Sequence, residues 1–347
     1  MRKSNIELLR IFCILGIIVL HFNHPDLGGG FSTVPIFSVN SFILVFLESL
    51  FIVGVDVFMI ISGYFMCDKD RVTLDKPLML LIQVIVYRFG ISLISLLFLG
   101  GDMKSFLVSL LPVNYFAVLY ISVYLLAPFI NRIFKEISDE SFKTLIMVGI
   151  ILFSVATTVT CVLQQVLKLD LGGLSPVGVL GNQGGYTIVN FLMMYVIGAY
   201  IRRLSDKGKK FIKHPVIVGI ITLVLIFIWG YISFAKGVSN IAFNYDNPLV
   251  ILLAICIFTV FVGIDIGSSR LINSLAKGCF GVFLLHMPFM VYIKAEYFVD
   301  KNPLVLLAAI LVLIVGIFLI CWVVDYIYHL IYKYTLGKLF GSVKIIK

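Results

Sequence analysis

Ile6-Glu7-Leu8-Leu9-Arg10-Ile11-Phe12-Cys13-Ile14-Leu15-Gly16-Ile17-Ile18-Val19-Leu20-His21-Phe22 is an apolar segment that carries a glutamate, an arginine and a histidine. Its length is close to what a bilayer core requires of a helix. Between Arg10 and His21 the helix turns by eleven steps of about 100°, three turns plus roughly 20°, so both side chains share one face. They lie about 16 Å apart along the axis. Glu7 sits one turn before Arg10 on nearly the same face. Ionisable side chains are costly in lipid, so this stripe is expected to face the protein interior or a wet cavity and to mark a functional site. The competing reading is a helix near the membrane surface, with Glu7 and Arg10 snorkelling and His21 at an interface.

The rest of the chain fits the first segment. Of 347 residues, 61% are hydrophobic and only 13% charged, with a mean hydropathy of +1.11. Soluble domains carry about 25% charged residues. The composition is that of an all-α integral membrane protein whose partner is the lipid bilayer. The net charge of +9 comes from basic residues dispersed among apolar spans, not gathered with aromatics on one domain, so no nucleic acid is expected. Six cysteines (Cys13, Cys67, Cys161, Cys256, Cys279, Cys321) are scattered without CxxC or zinc spacing and read as small packing residues. Arg2 and Lys3 before an apolar run resemble the start of a signal peptide. No small-residue cleavage site follows, so the first segment is expected to stay as a transmembrane helix.

Apolar runs mark about ten spans, at 6–22, 41–66, 78–99, 106–131, 143–165, 186–201, 215–234, 248–266, 278–294 and 303–330. Pro112 predicts a broken or re-entrant start to the fourth. Basic residues set the orientation. With the N-terminus in the cytosol, the cytosolic segments hold Arg2, Lys3, Lys69, Arg71, Lys76, Arg132, Lys135, Lys143, Arg202, Arg203, Lys207, Lys209, Lys210, Lys213, Arg270, Lys277, Lys333, Lys338, Lys344 and Lys347. The external segments hold Lys104, Lys168, Lys236, Lys294 and Lys301. This asymmetry predicts both termini in the cytoplasm. The basic stretch Arg202–Lys213 is explained by the same rule, ahead of a role in binding anionic lipid. Two external loops are glycine-rich, Asn23–Asn40 and Val166–Gly185. They lack the Gly-Lys-Ser/Thr of a phosphate loop and read equally as turns or as covers over an opening. Residues 1–347 are expected to form a single transmembrane domain with no separate soluble domain.

Several polar residues inside spans could carry chemistry. Asp56 lies deep in Gly54–Phe65 and needs a partner, for which Arg10, His21 and Arg88 are the candidates. Ser62-Gly63 follows, where glycine allows close approach of a helix or ligand; helix packing alone explains it as well. His286 in Phe280–Pro288 reads first as a hydrogen-bonded core residue near the carbonyl that Pro288 leaves free. Tyr115 and the tyrosines after it are either cavity hydroxyls or interfacial anchors. His21 and His24 lack a third ligand, so no metal is expected.

Taken together these pieces resemble the acyltransferase 3 family of membrane O-acyltransferases. Those that match are Asn5-Ile6-Glu7-Leu8-Leu9-Arg10 with His21, the Gly54–Phe65 run ending in Ser62-Gly63-Tyr64, Tyr124–Asn131, Tyr195-Val196-Ile197-Gly198-Ala199-Tyr200, and Gly281-Val282-Phe283-Leu284-Leu285-His286. The resemblance implies about ten transmembrane helices around an intramembrane cavity and an acyl-CoA donor used from the cytosolic side. It also implies an Arg–His pair needed for activity, here Arg10 and His21. Many members carry an arginine-rich stretch after Ser-Gly-Tyr. Here the loop Cys67–Lys76 is acidic as well as basic, leaving Arg71 and Arg88 as candidate donor-binding residues.

Three functions follow for comparison. The first is acyl transfer in a bacterial plasma membrane, from cytosolic acetyl-CoA as co-substrate to a hydroxyl of a glycan or lipid-linked glycan. His21 then acts as base or acyl carrier. Arg10 holds the donor or stabilises charge, with Glu7 orienting Arg10. Asp56, Ser62, Gly63, Tyr64, Arg71, Arg88, Tyr115 and His286 are candidates for donor or substrate binding, and no permanently bound cofactor is expected. The second is a transporter or flippase, since intramembrane charges also mark transport pathways, although no internal repeat is visible. The third is a membrane sensor without chemistry, against which the lack of a soluble ligand domain weighs.

Overall fold

The computed structural model describes residues 3–178, 181 and 183–334. Arg2, Lys338, Lys344 and Lys347, counted above for orientation, lie outside the described residues, as do Val179, Leu180 and Asn182 of the second glycine-rich loop. The described residues form helices joined by loops and contain no strand. Among them, nine helices are long and apolar enough to cross a membrane.

The first is α1 (Ser4–Asn23). A short turn of helix, α2 (Gly30–Thr33), leads to the second crossing, α3 (Val39–Phe51) and α4 (Gly54–Met66), which is one apolar run broken at Ile52-Val53. Next come α5 (Asp75–Phe98), the short α6 (Met103–Val108) and α7 (Tyr115–Glu136). Pro112 lies between α6 and α7, so the fourth crossing begins at Tyr115 and not at 106. The Asn114 side chain caps α7 by accepting from the Ala117 N–H at 2.9 Å. The fifth crossing joins α8 (Asp139–Ile150) and α9 (Ala156–Leu167) through a π-helical turn. Then follow α10 (Ile188–Asp206), α11 (Pro215–Ala235) and α12 (Pro248–Gly263).

The predicted span 278–294 is not a continuous helix. It holds two short helices, α14 (Cys279–Leu285) and α15 (Met287–Met290), and is preceded by α13 (Arg270–Lys277). Pro288 supplies no N–H to the carbonyl of Leu284, and its ring crowds that turn. At the other junction a side chain on Gly278 would meet the Trp322 ring, at 2.5 Å from Cδ1. After α16 (Glu296–Val299), the chain ends its described course in α17 (Pro303–Tyr334).

The order of burial identifies the centre. In the most apolar window of α1, 72% of residues are buried, against 22% for α5 and α11. Helix α1 is therefore the axis of the bundle, with α3, α4, α12, α13, α14 and α17 packed around it. The outer helices present leucine, isoleucine, valine and phenylalanine outward, as in Ile217, Ile220 and Val224 of α11.

Small residues fix the helix crossings. A Cβ on Gly63 would collide with the Tyr195 carbonyl, and one on Gly198 with the Ile60 carbonyl, so α4 and α10 touch backbone to backbone. The same joint is bolted by Asn131 of α7. Its Nδ2 donates to the carbonyls of Met66 (2.8 Å) and Lys69 (2.9 Å), while its Oδ1 accepts from the Tyr195 hydroxyl at 2.9 Å. Similarly, Gly281 of α14 lets Asp325 of α17 approach closely. The Asp325 Oδ1 accepts from Gln83 Nε2 (2.7 Å) and from the Tyr87 hydroxyl (2.6 Å) of α5. These contacts lock α14, and with it His286, to two neighbours.

Both glycine-rich loops contain tight turns. In the first, the Gly28 N–H donates to the His21 carbonyl at 3.0 Å and the Gly29 N–H to that of His24 at 2.9 Å, closing the end of α1. A Cβ on Gly28 would strike the Phe22 carbonyl. In the second, Gly184 and Gly185 take positive φ angles of 62° and 86°, and the Gly184 carbonyl accepts from the Tyr245 N–H at 2.9 Å.

Candidate active site

His21 lies at the end of α1, half-buried, with its Nδ1 2.8 Å from Nε2 of His286. His286 is fully buried, and its Nδ1 lies 3.0 Å from the Val282 carbonyl. These two contacts define the tautomers. A carbonyl only accepts, so His286 carries its proton on Nδ1 and donates it to Val282. The Nε2 of neutral His286 is then an acceptor, and His21 must donate from Nδ1. The Nε2 of His21 is left as a lone pair. A base oriented through its other ring nitrogen is the arrangement that proton-abstracting imidazoles require. His286 thus bonds to Val282 and not to the Leu284 carbonyl freed by Pro288.

His21 opens into a cavity of about 1040 Å³. Arg10, at the other end of α1, opens into a second cavity of about 200 Å³. Ile17 and Phe283 line both, so they form the partition between the two. The smaller cavity holds three cations, Arg10, Lys76 and Lys277, and no carboxylate among its lining residues. Lys76 Nζ donates to the Tyr120 hydroxyl at 2.6 Å and lies 5.0 Å from the centre of the Tyr124 ring. Glu7 is buried 3.7 Å from Arg10 Nη1 and aligns it without entering the cavity lining. Insertion of an isolated arginine into a helix centre costs about 2.5–3.5 kcal/mol on translocon scales. Pairing with Glu7 and a position facing a cavity and not lipid offset that cost.

The remaining sequence candidates divide between the two cavities or fall outside both. Ser62 lines the smaller cavity, its hydroxyl donating to the Phe58 carbonyl at 2.9 Å. Arg88 and Tyr115 line the larger one with His21 and His286. Arg88 Nη1 donates to the Val113 carbonyl at 2.9 Å. It is therefore on the opposite side of the partition from Arg10. Arg71 is exposed on the loop between α4 and α5 and lines neither cavity. Gly63 serves the α4–α10 crossing, and Tyr64 is buried against Phe258 with Arg202 stacked 5.4 Å from its ring centre. Asp56 meets none of Arg10, His21 and Arg88 in a hydrogen bond; its Oδ1 accepts from Asn190 Nδ2 at 3.0 Å, and it stands in the first turn of α4, where the helix dipole favours a carboxylate. His24 accepts from the Asp26 N–H at 3.2 Å, at the exposed end of α1. Among the described residues no three histidine, cysteine or carboxylate side chains gather as a metal site.

Five cavity residues are not singled out as site residues by the sequence. Lys76 and Lys277 counted there only toward orientation, because nothing local in the chain brings two loop lysines to Arg10. Glu48 is an ionisable residue inside the second span, a signal present but overlooked. Tyr186 and Tyr245 belong to separate loops and become neighbours only through the turn at Gly184-Gly185.

The family model described as an acyltransferase domain, that of the acyltransferase 3 family, matches residues 3–326. None of the curated proteins and none of the solved structures matches the chain. The match runs from the start of α1 through Asp325 on α17, and so includes the histidine pair, both cavities and the partition. The all-helical membrane fold and a family match over nearly the whole length lead to one statement of identity: the chain belongs to the acyltransferase 3 family, a multi-pass membrane protein of an acyl-transferring family.

Proposed function

We propose that this protein moves an acyl group, acetyl in the simplest case, from cytosolic acyl-CoA to a hydroxyl of a glycan or lipid-linked glycan at a bacterial plasma membrane. The observation that carries the proposal is the pair of cavities meeting at Ile17 and Phe283. One is cationic and suits a phosphate-bearing donor. The other is roomy and is faced by a histidine with a free lone pair. In this reading the broken run 270–290 is the tenth crossing, and the basic loops support cytosolic termini with the cationic cavity on the cytosolic side.

Arg10, Lys76 and Lys277 bind the donor phosphates by charge-assisted hydrogen bonds. The distance from Arg10 to His21, about 16 Å by helical rise, decides the division of labour. Arg10 is too far from His21 to stabilise charge on the reacting carbonyl, so its role is at the donor's anionic end. In this reading the bulky nucleotide stays on the Arg10 side, and the thin pantetheine arm reaches past Ile17 and Phe283 toward His21. His21 Nε2 takes the proton of the acceptor hydroxyl as its oxygen bonds to the thioester carbon. The C–S bond then breaks, and the departing thiolate takes the proton from His21. In a two-step version the same lone pair first carries the acyl group. The test is label transfer from radiolabelled acetyl-CoA in inverted membrane vesicles, followed into glycan and lipid fractions. Transfer by the wild type and none by a folded His21→Ala variant is expected; substantial turnover without His21 would remove its catalytic role.

A further inference from the structure

We propose that Glu48 is the specificity-determining contact for the acceptor, and that with Tyr115, Tyr186 and Tyr245 it forms a subsite for a hydroxyl-rich sugar ring in the larger cavity. This inference rests on the acyltransferase reading and adds to it the residues that choose the acceptor.

Glu48 stands on α3 and lines the same cavity as His21. Its Oε2 accepts from Asn23 Nδ2 at 2.8 Å. Asn23 follows His21 by two residues on α1 and also donates to the Leu44 carbonyl at 3.1 Å. The carboxylate is thereby tied to the helix that carries the base, and its position relative to His21 is fixed. Glu48 Oε1 accepts from no side chain among the described residues. A carboxyl group that lines the cavity with one oxygen unclaimed by a side chain is suited to a ligand rich in hydroxyls, which both donate and accept.

The cavity wall supplies the complementary chemistry. The Tyr115 and Tyr186 rings meet edge-on at 4.8 Å between centres, as do Tyr186 and Tyr245. Two elements converge to build this wall. Asn114 caps α7 beside Tyr115, and the Gly184-Gly185 turn holds Tyr186 against Tyr245. Tyr186 is also within electrostatic reach of Glu48. Rings of tyrosine offer an apolar body and a polar tip. A sugar ring presents the matching pair of surfaces, with C–H faces for the aromatic wall and equatorial hydroxyls for the carboxylate. At about 1040 Å³ the cavity is at the upper end of the usual range for small-molecule sites. It has room for an acceptor beside the acyl arm. A sugar held at one hydroxyl by Glu48 offers another to His21 in the same cavity, which makes Glu48 the determinant of which position is acylated.

The experiment uses the full chain in nanodiscs, with methyl glycosides of glucose and N-acetylglucosamine as probes. Glycoside binding is read by saturation-transfer NMR titration and acetyl-CoA binding by calorimetry. Glu48→Gln keeps an oxygen for Asn23 and replaces the ligand-facing oxygen with an amide nitrogen, which cannot accept. Tyr186→Ala removes part of the wall at a half-exposed position and decides the matter if Glu48→Gln does not fold. Each is expected to weaken glycoside binding about 10- to 100-fold, the range for a buried polar group left unpaired or a lost stacked ring, with acetyl-CoA binding unchanged. Unaltered glycoside affinity in both folded variants, or no glycoside binding by the wild type, overturns the subsite. Glycoside binding that depends on Glu48 without any acetyl transfer by the wild type would remove the acyltransferase reading and leave the subsite standing. Transfer that continues undiminished in Glu48→Gln would do the reverse.

Discussion

His286 accepts a 2.8 Å hydrogen bond from Nδ1 of His21, a residue 265 positions away in the chain, and donates its own Nδ1–H to the Val282 carbonyl. The pair works in one direction. The buried imidazole holds the tautomer, and the cavity-facing one offers its Nε2.

His286→Leu removes the imidazole acceptor for His21 Nδ1 and leaves the ring only its backbone contact with Ile17, so the tautomer and orientation of His21 are held less firmly. Turnover is expected to fall about 10²- to 10⁴-fold, the scale seen when an orienting partner of a catalytic histidine is lost. Donor binding should be unchanged. His286→Gln, whose amide oxygen accepts, should recover part of the loss. Steady-state kinetics with acetyl-CoA check both; equal rates for the Leu and Gln variants would contradict the orienting role.

Lys76→Ala and Lys277→Ala each remove one cation from the smaller cavity. The KM for acyl-CoA is expected to rise about tenfold or more per variant, as loss of a charge-assisted hydrogen bond implies. Added salt should weaken donor binding in the wild type more than in the variants. Arg71→Ala, outside both cavities, should leave the donor KM unaltered. A donor KM governed by Arg71 would relocate the donor.

Phe283→Trp enlarges a partition residue shared by both cavities. Acetyl-CoA should still bind while transfer falls by about 10² or more, because a displacement of about an ångström at the reacting atoms has that effect. Phe283→Ala should admit water and raise hydrolysis of the donor relative to transfer. Calorimetry and product ratios distinguish these outcomes from general unfolding.

Gly63→Ala and Gly281→Ala place a methyl group against the Tyr195 carbonyl and the Asp325 carboxylate. Each is expected to destabilise the protein by about 1–3 kcal/mol, the usual cost of overpacking. Thermal melting in detergent measures this. Gly281→Ala should also reduce turnover beyond its effect on folding, because α14 carries His286. Gly63→Ala should affect stability alone.

Much of this architecture is legible in the chain, and the exceptions have physical causes. Arg10 and His21 share a helix, so helical periodicity alone gives their common face and spacing. The apolar runs give eight of the crossings closely; Tyr115 shows where Pro112 sets a later start. The ninth predicted run, 278–294, breaks at Gly278 and Pro288, and hydropathy is blind to that because it averages over a window. The Ser62-Gly63 motif shows the limit of local reading from the other direction. Its glycine belongs to a helix crossing with Tyr195, while its serine lines a cavity. Lys277, Glu48 and Tyr245 reach the cavities through tertiary packing, which no local spacing encodes. Asp56 needed a partner, as any buried carboxylate does, but Asn190 supplies it from α10, 134 positions away.

The central claim is that donor and acceptor enter from opposite faces and meet at the Ile17–Phe283 partition. Proteoliposomes of defined orientation test it most directly, with radiolabelled acetyl-CoA on one face and cell-derived glycan on the other. The account predicts labelled glycan only when acetyl-CoA is on the face that opens to Arg10, Lys76 and Lys277 and glycan is on the opposite face, and no label with His21→Ala. Equal labelling with both substrates supplied to a single face would contradict it.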